Sequence, residues 1–303
     1  MALRSNFGDL LEPVFREVFD DRYSEIPQVF PSIFHENTST KAYEQDSAVT
    51  GFGLLDVAGE NETLQYEDPI QMYDTTYQHL KYQKGFKVSR ELYEDDLYNV
   101  MKKKPSALAR SARRTAEYYA ASVFNNAFTS TVTGGDAKAL CSVAHPRVDG
   151  GTDQSNASAT GIVLNDDNLE TGRLAMRAQL DDKGMRIMAK ARTLLVPAAL
   201  EKTARILTQS NGRPETSDND INVYQGDLRV VVWDYLTSST AWYLIDDQLH
   251  ELNWFWRVKP EFKQDNSFDT DAALFKTRVR FSKGWSDWRG TWGSKGDGGA
   301  YAS

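Results

Sequence analysis

The chain has 303 residues, of which 40% are hydrophobic and 26% are charged, and its formal net charge is −8. This size and composition are typical of a globular protein with one large domain or two to three smaller ones. The acidic balance argues against tight nucleic-acid binding, which needs a basic patch or stripe. The single cysteine, Cys141, excludes an intrachain disulfide, and no run of residues approaches the roughly 20 apolar positions of a membrane-spanning helix.

The first 35 residues predict a short amphipathic helix followed by an extended segment. Apolar residues recur at helical spacing from Leu10 to Phe19, and Pro27 and Pro31 then favour extended chain. This part can form little core of its own. It is either a loosely held terminus that packs on its own domain or an arm that reaches a neighbouring molecule.

Residues 36–88 predict an extended polar ribbon that is rich in Thr, Gln, Asp and Tyr. From Tyr73 to Val88 the side chains alternate as in a strand, but few positions on either face are strongly apolar. A hairpin of this kind is marginal alone in water. We therefore expect it to lie across the surface of a partner.

A long amphipathic helix is predicted that either starts near 94–97 or restarts at Pro105, because proline is favoured in the first turn. From Pro105 to Phe128 it would be roughly 36 Å long at 1.5 Å per residue. Arg110, Arg113 and Arg114 lie mostly off its apolar stripe. They are interpreted as a solvated helix face or, alternatively, as weak and salt-sensitive contacts to enclosed DNA.

The rest of the chain predicts loops, two helices and several short strands. Residues 134–165 are rich in Gly, Ser and Asn and predict a loop. One helix is expected at 165–184, with Asp167 and Glu170 as a capping box. A second helix is expected from Pro197 to about Gln209. Strands are predicted at 191–196, 228–233, 241–245, 256–263 and 274–282, followed by a tail with a flexible end.

No residue pattern predicts a catalytic or metal site. Cys141 and His145 are four residues apart, but a catalytic pair needs an activated thiolate in a cleft, and they lie in a predicted loop without a protease signature. Four histidines and one cysteine are scattered, whereas a zinc site needs about four ligands at recurring spacing. Paired aspartates lie at helix starts and turns, where capping explains them. No enzyme activity and no cofactor are expected.

Seven tryptophans cluster in the C-terminal third of the chain. Tryptophan can form a sugar-binding platform, and it also supplies large buried area in cores and interfaces. Trp233 and Trp242 fall in strand-like runs and are predicted to be core residues. Trp285, Trp288 and Trp292 lie in the Gly-rich tail and are candidates to cover a neighbour.

Four segments carry a resemblance to a known family. They read CSVAHPRVDGGTDQSNA at 141–157, LNDDNLETGRLAMRAQLDDKGMRI at 164–187, LLVPAALEKTARIL at 194–207 and VVVWDYLTSSTAWYLIDD at 230–247. In this order, after an arm, a ribbon and a long helix, they resemble the major capsid protein of tailed bacteriophages with the HK-ninety-seven-like fold. They are most similar to the Mu-like major head subunit (gpT) family.

The resemblance implies an α+β phage capsid fold made of five parts. These are an N-terminal arm at 1–35, an extended β-hairpin loop at 36–88, a peripheral domain with a spine helix at 89–135, an α/β axial domain at 136–256, and returning peripheral strands with the C-terminal tail at 257–303.

The implied function is that of a structural subunit in the virion capsid, assembled in the bacterial cytoplasm. Identical copies would form hexamers and pentamers of an icosahedral shell around double-stranded DNA, which they would contact weakly and without sequence preference. Scaffold, portal and decoration proteins are the other implied partners, and no membrane is involved. The candidate intersubunit contacts are Phe15, Phe19, Tyr66, Tyr73, Tyr77, Tyr82, Trp285 and Trp288, and the candidate DNA-facing residues are Arg110, Arg113 and Arg114.

Two alternatives stay open at this point. An encapsulin-type nanocompartment shell would have the same fold and would hold a cargo enzyme instead of DNA. A carbohydrate-binding protein or hydrolase built around the tryptophan cluster is the less favoured alternative.

Overall fold

The structure is a computed structural model, and it describes residues 7–60, 63–64, 66–89, 91–92, 95, 101–212, 221–267 and 272–301. The helices are α1 (Phe7–Glu25), α2 (Lys103–Asn125), α3 (Asp166–Ala178) and α4 (Glu201–Gln209). The strands are β1 (His35–Thr38), β2 (Tyr43–Val49), β3 (Gln71–Gln78), β4 (Leu80–Ser89), β5 (Thr193–Val196), β6 (Arg229–Val232), β7 (Trp242–Ile245), β8 (Leu252–Ser267), β9 (Ala272–Trp285) and β10 (Thr291–Ser294).

The first sheet has the strand order β1-β8-β9-β4. Its centre is a long antiparallel hairpin of β8 and β9, whose pairing runs from Leu252 opposite Trp285 to Ser267 opposite Ala272. Strand β4 pairs antiparallel with β9, and β1 pairs parallel with β8. Phe275, Val279 and Phe281 alternate along β9 and are buried, because successive side chains of a strand point to opposite faces.

Helix α2 confirms the predicted long amphipathic helix, and α1 confirms the predicted N-terminal helix. The buried face of α2 is rich in alanine, including Ala109, Ala116 and Ala120. Small side chains on this face bring the helix axis close to the sheet. Aromatic side chains of β9 and α1 fill the space on either side of helix α2.

The second sheet has the order β10-β7-β5-β6. Every residue of β5, β7 and β10 is buried. Helix α3 packs closely on this sheet at Gly172, where a Cβ atom would lie 3.0 Å from Leu244 and from Trp292. Glycine therefore sets the distance between the helix and the sheet.

The C-terminal end of α2 joins the two sheets into one core. The ring of Phe124 lies 5.1 Å from that of Tyr243, a residue of the second sheet, and 6.0 Å from that of Trp233. The Tyr243 hydroxyl donates a hydrogen bond to the carbonyl oxygen of Phe124 at 2.8 Å. The same buried cluster contains Trp254 and Phe281 of the first sheet.

Several predicted boundaries need correction. The segment after β9 contains a strand that was not predicted, because residues 291–294 form β10 and pair with β7 of the second sheet. The hairpin predicted at 36–88 is confined to β2 and β3, because β1 and β4 are part of the first sheet.

The predicted capping box of α3 is also wrong. The N-cap lies two residues earlier, at Asn165, whose Oδ1 accepts a hydrogen bond from the backbone N–H of Asn168 at 2.8 Å. Glu170 instead accepts a hydrogen bond from the Tyr224 hydroxyl at 2.7 Å. Asparagine is among the preferred N-cap residues, and the tertiary contact to Tyr224 takes Glu170 away from the helix terminus.

Candidate assembly surface

The two-stranded ribbon of β2 and β3 leaves the first sheet at His79, the one residue between β3 and β4. The pairing runs from Tyr43 opposite Gln78 to Val49 opposite Gln71. At its far end Thr50 and Ile70 close the ribbon: the Thr50 N–H donates to the Ile70 carbonyl at 2.8 Å, and the Ile70 N–H donates to Thr50 Oγ1 at 2.9 Å. The segment 51–69, which connects the two strands beyond this closure, is called the apolar loop.

The apolar loop exposes large hydrophobic side chains that the rest of the chain leaves uncovered. The exposed fractions are 64% for Phe52, 77% for Leu54, 96% for Leu55, 97% for Val57, 68% for Leu64 and 88% for Tyr66. Burying one such side chain is worth about 1.5–3 kcal/mol, so leaving six of them in water is unfavourable. Contiguous exposed apolar patches of this kind mark interaction surfaces.

The ribbon, in contrast, is fixed to the body of the subunit both at its root and through one residue of the apolar loop. Tyr77 is 2% exposed, and its hydroxyl lies 2.6 Å from Ser286 Oγ. In the apolar loop, the Glu67 carboxylate accepts from Lys183 Nζ of the body at 2.5 Å and from the Gly53 N–H at 2.8 Å. These two donors lower the pKa of Glu67. The ribbon is therefore presented in a fixed direction, while the side chains at its tip have no cover.

The structure divides the eight predicted intersubunit contacts into two groups. Five are buried inside the subunit, at no more than 5% exposure: Phe15, Phe19, Tyr77, Trp285 and Trp288. For these five the chain supplies its own cover, which corrects the expectation that a neighbour does so. Tyr66 is exposed and Tyr73 and Tyr82 are half-buried, so an intersubunit role for these three stays a prediction.

Helix α1 shows why the predicted arm packs on its own domain. The Phe15 ring lies 5.0 Å from that of Phe275, and the Phe19 ring lies 5.3 Å from that of Phe262. These two phenylalanines are one helical turn apart and fill the space between α1 and the β8–β9 hairpin. Of the two interpretations of residues 1–35, the described part supports packing on the chain's own sheet.

The three predicted DNA-facing arginines are also in different environments. Arg113 Nε donates to the Ile26 carbonyl at 2.8 Å, and its guanidinium lies 4.5 Å from the centre of the Tyr23 ring. It therefore fastens the segment after α1 and does not face a ligand. Arg110 and Arg114 are exposed, and their contact with DNA stays a prediction.

Next to Arg113, the buried carboxylate of Glu117 fastens the same segment. Glu117 Oε1 accepts from the backbone N–H of Val29 at 2.8 Å and of Phe30 at 3.4 Å. Its Oε2 accepts from Trp233 Nε1 at 2.8 Å. Burial raises the pKa of Glu117, and these donors oppose the rise. A single side chain of α2 therefore hydrogen-bonds both the segment after α1 and Trp233, the residue that follows β6.

Cys141 and His145 do not form a pair. Cys141 is buried, and burial raises the pKa of its thiol. His145 Nδ1 lies 2.6 Å from Asp136, its Nε2 lies 3.0 Å from Asn156 Oδ1, and its ring stacks on Trp288 at 4.3 Å. The imidazole is a buried structural group. Within the described ranges, no cluster of three metal-ligating side chains is present.

A sugar-binding face would need exposed aromatic rings, and every tryptophan of the chain is at most 5% exposed. The tryptophans therefore act as core residues, and the alternative of a carbohydrate-binding protein is wrong. Among the helices in the described part of the chain, none is long and apolar enough to cross a membrane.

Comparison with known proteins gives a clear family match. The model of the family described as phage capsid protein matches residues 73–293, which is more than half of the chain. The chain belongs to the phage capsid protein family. Members of this family are structural proteins, and the present capsid protein is a component of the virion. No curated protein sequence matches it.

Solved capsid structures share the fold of this capsid protein at low sequence identity. The capsid of bacteriophage JBD30 has a TM-score of 0.56 at 14% identity, over 70% of this chain and 92% of that one. The capsid of a native GTA particle has a TM-score of 0.56 at 14% identity, over 88% and 90%. A chain of Microbacterium phage Oxtober96 has a TM-score of 0.52 at 12% identity, over 86% of each. The predicted α+β phage capsid fold is thereby confirmed.

Proposed function

We propose that this capsid protein is the major head subunit of a tailed bacteriophage, and that its copies form the hexamers and pentamers of an icosahedral shell around double-stranded DNA. The observation that carries this proposal is the apolar loop. The protein has a complete core in each of its sheets and still exposes six large hydrophobic side chains at the end of a fixed ribbon. In a closed shell, every copy can cover this loop on an identical neighbour.

The parts of the fold take the roles that the resemblance implies. The first sheet with α1 and α2 is the peripheral domain, α2 is its spine helix, and the second sheet with α3 and α4 is the axial domain near the centre of each capsomer. The ribbon with the apolar loop is the extended loop that crosses a neighbouring subunit. We assign this arrangement to the HK-ninety-seven-like group and to its Mu-like major head subunits.

Contact with the packaged DNA is weak in this proposal. The net charge of −8 repels DNA as a whole, and only exposed cations such as Arg110 and Arg114 are available for phosphate contacts. Such contacts are salt-sensitive and carry no sequence preference. Scaffold, portal and decoration proteins complete the set of proposed partners.

The test is to express the full chain, alone and together with the other head genes of its phage, and to image the purified material by electron microscopy. We expect closed shells of uniform diameter, and nuclease-protected DNA in particles from the complete system. Shells that contain a co-purifying enzyme and never DNA would support the nanocompartment alternative. A monomer under every assembly condition would contradict the proposal.

A further inference from the structure

Three of the four histidines of the chain lie around strand β1, which joins the segment after α1 to the ribbon. His35 is the first residue of β1, and its ring stacks on that of His250. His79 contacts Ser39, the residue that follows the strand. In the described part of the first sheet, β1 is an edge strand that pairs only with β8. Histidine changes its charge between pH 5 and 8 more readily than any other side chain, so proton uptake can act directly on this strand.

The hydrogen bonds of His35 and His250, which we call the histidine pair, fix the position of their protons. The two ring centres lie 4.3 Å apart, and the ring planes are inclined by 21°. His35 Nε2 lies 3.0 Å from the His250 carbonyl oxygen, which can only accept, so this nitrogen carries a hydrogen. His250 Nδ1 lies 3.2 Å from the backbone N–H of Leu252, which can only donate, so Nδ1 is unprotonated.

The two rings of the histidine pair therefore respond differently to acid. A proton enters His35 at Nδ1 and leaves its hydrogen bond to the His250 carbonyl intact. A proton enters His250 at Nδ1, where it meets the N–H of Leu252 and breaks that hydrogen bond. Two charged rings at a distance of 4.3 Å would also repel each other strongly in this partly buried place. The closed pair can hold one proton, on His35, but not two.

Charged groups on the surrounding elements act on His250. Burial, followed by the stacked His35, lowers the pKa of His250 to about 4. Asp247 and Asp246, in the turn between β7 and β8, oppose this shift, and Arg229 at the start of β6 adds to it. The closed conformation therefore disfavours the charged form of His250, although two carboxylates lie near it.

A different carboxylate faces His35. Burial raises the pKa of Glu251, Asp46 on the ribbon raises it further, and His35 opposes the rise. Glu251 is thus placed to balance a proton on His35. The second proton of the histidine pair, on His250, is the one that the closed conformation does not accommodate.

The contact at the other end of β1 tolerates acid. The two ring nitrogens of His79 each lie 3.0 Å from a hydroxyl, Nε2 from that of Ser39 and Nδ1 from that of Ser282. A hydroxyl can donate or accept, so both hydrogen bonds survive protonation of His79. Burial lowers the pKa of His79, and the charged side chains that act on it are Glu44, Arg280 and Arg257.

Strand β1 can separate from β8 without disturbing the core. All four of its side chains are exposed, whereas Phe34, just before it, is 4% exposed and packs against Phe124. The contacts that would break include the pairing with β8 and the hydrogen bond from Trp256 Nε1 to Glu36 at 2.6 Å. A segment with few buried apolar contacts opens locally at a lower free energy than the whole subunit unfolds.

We propose that the histidine pair is a pH-sensitive contact that holds β1 on β8 near neutral pH and releases β1 when His250 takes up a proton. The release is local, because Phe34 stays in the core and the ribbon stays attached through the continuous chain from β3 to β4. Strand β2 of the ribbon then loses its link to the first sheet. The contact lies within one subunit and does not depend on the proposed function.

Amide hydrogen exchange in full-length, unassembled subunits tests this proposal. Protection factors, corrected for the intrinsic exchange rate at each pH, are measured at pH 7 and pH 5 for peptides of β1 and α2. Because the pKa of His250 changes from 6.5 to about 4 on closing, we expect the protection of β1 to fall more than about tenfold. Strand β1 should be less protected than α2 at both pH values. Equal protection of β1 and α2 would mean that β1 opens only on complete unfolding, and an unchanged β1 would overturn the proposal.

Two histidine variants assign the effect to its residue. His250→Asn removes the titrating ring and keeps, in Oδ1, an acceptor for the Leu252 N–H. In this variant we expect the protection of β1 to agree within about twofold between pH 7 and pH 5. The matched control, His79→Asn, changes the histidine at the other end of β1 and should keep the pH dependence of the wild type. A pH dependence that persists in His250→Asn, or disappears in His79→Asn, would contradict the role of the histidine pair.

Glu36, within β1, allows a second test that does not rely on hydrogen exchange. A glutamyl endopeptidase that is active at both pH values cuts after Glu36 only when β1 is open. Cleavage after Glu36 is measured relative to cleavage after Glu60, which is exposed in the apolar loop. From pH 7 to pH 5 we expect this ratio to rise more than about tenfold in the wild type and to stay constant in His250→Asn. A constant ratio in the wild type would show that acid does not release β1.

Discussion

The second sheet and the apolar loop use similar side chains with opposite results. Leu194 and Leu244 in the sheet have no exposed surface, whereas Leu54 and Leu55 in the loop are 77% and 96% exposed. The sheet is covered by helices and loops of its own chain. The loop is joined to its own chain through Glu67 and Lys183, but its large hydrophobic side chains stay uncovered. The difference shows which part of the stability is intramolecular and which part must come from assembly.

The largest expected effect concerns assembly. Replacing residues 51–67 by a short Gly-Asn turn keeps the closure between Thr50 and Ile70 and removes the uncovered apolar side chains. We expect the subunit to fold, with an unfolding midpoint in urea close to wild type, but to form no shells. Circular dichroism and sedimentation velocity check the two parts separately. Normal shells from the shortened chain would show that the loop is not an assembly element.

A leucine-to-alanine pair compares the two regions directly. Leu244→Ala removes a fully buried side chain and should lower the free energy of unfolding of the unassembled subunit by about 2–5 kcal/mol. Leu55→Ala should change it by no more than about 0.5 kcal/mol and should instead reduce the yield of particles. Urea titration and particle counts give both values. A large loss of subunit stability in Leu55→Ala would mean that the loop is buried within its own chain.

Removing the Glu117 carboxylate should destabilise the subunit without changing the apolar loop. Glu117→Ala leaves the N–H groups of Val29 and Trp233 buried without an acceptor, which should cost about 3 kcal/mol. Glu117→Gln keeps one acceptor oxygen and should cost roughly half as much. Urea unfolding of both variants measures the difference. Equal losses would show that hydrogen bonding at this site contributes little.

His250 predicts how subunit stability depends on pH. Burial, followed by the neighbouring His35, lowers its pKa to about 4 from 6.5, while Asp246 and Asp247 act in the opposite direction and Arg229 lowers it further. His250 is therefore protonated below about pH 6.5 in the unfolded chain, but only below about pH 4 in the folded subunit. This contribution to stability is fully present above pH 6.5 and is lost as the pH falls to 4, by about 3 kcal/mol.

The comparison of wild type with His250→Gln isolates this contribution. Urea titrations at several pH values between 7 and 4 should show a smaller loss of stability in the variant. The same pH dependence in both proteins would mean that other groups are responsible.

The smallest expected effect separates two adjacent arginines. Arg113→Ala removes the hydrogen bond to Ile26 and the contact with the Tyr23 ring, and should cost about 1–2 kcal/mol. Arg114→Ala removes an exposed side chain and should change subunit stability by no more than about 0.5 kcal/mol. Thermal unfolding of the two variants is sufficient to compare them. The reverse order would contradict the positions described for these side chains.

The parts that the sequence predicts well are those with a strong local pattern. Helix α2 has a sustained apolar stripe, and β5 and β7 are short apolar runs, so periodicity and hydrophobicity are enough to find them. The uncovered ribbon is predictable for the same reason, because neither face of residues 73–78 carries enough apolar surface for an independent hairpin.

Tertiary contacts decide what the sequence could not predict. Strand β10 is only four residues long and contains Gly293, and it is a strand because β7 offers it a partner. Asp167 and Glu170 form a good capping pattern, but Asn165 caps the helix and Glu170 meets Tyr224.

The most direct test of the account is the reactivity of one loop position before and after assembly. A Leu55→Cys subunit carries a single exposed thiol, because the native Cys141 is buried. Its rate of maleimide labelling is measured in unassembled subunits and in intact particles. The account predicts fast labelling of free subunits and strong protection in particles. Equal rates in both states would contradict the claim that identical copies cover the apolar loop.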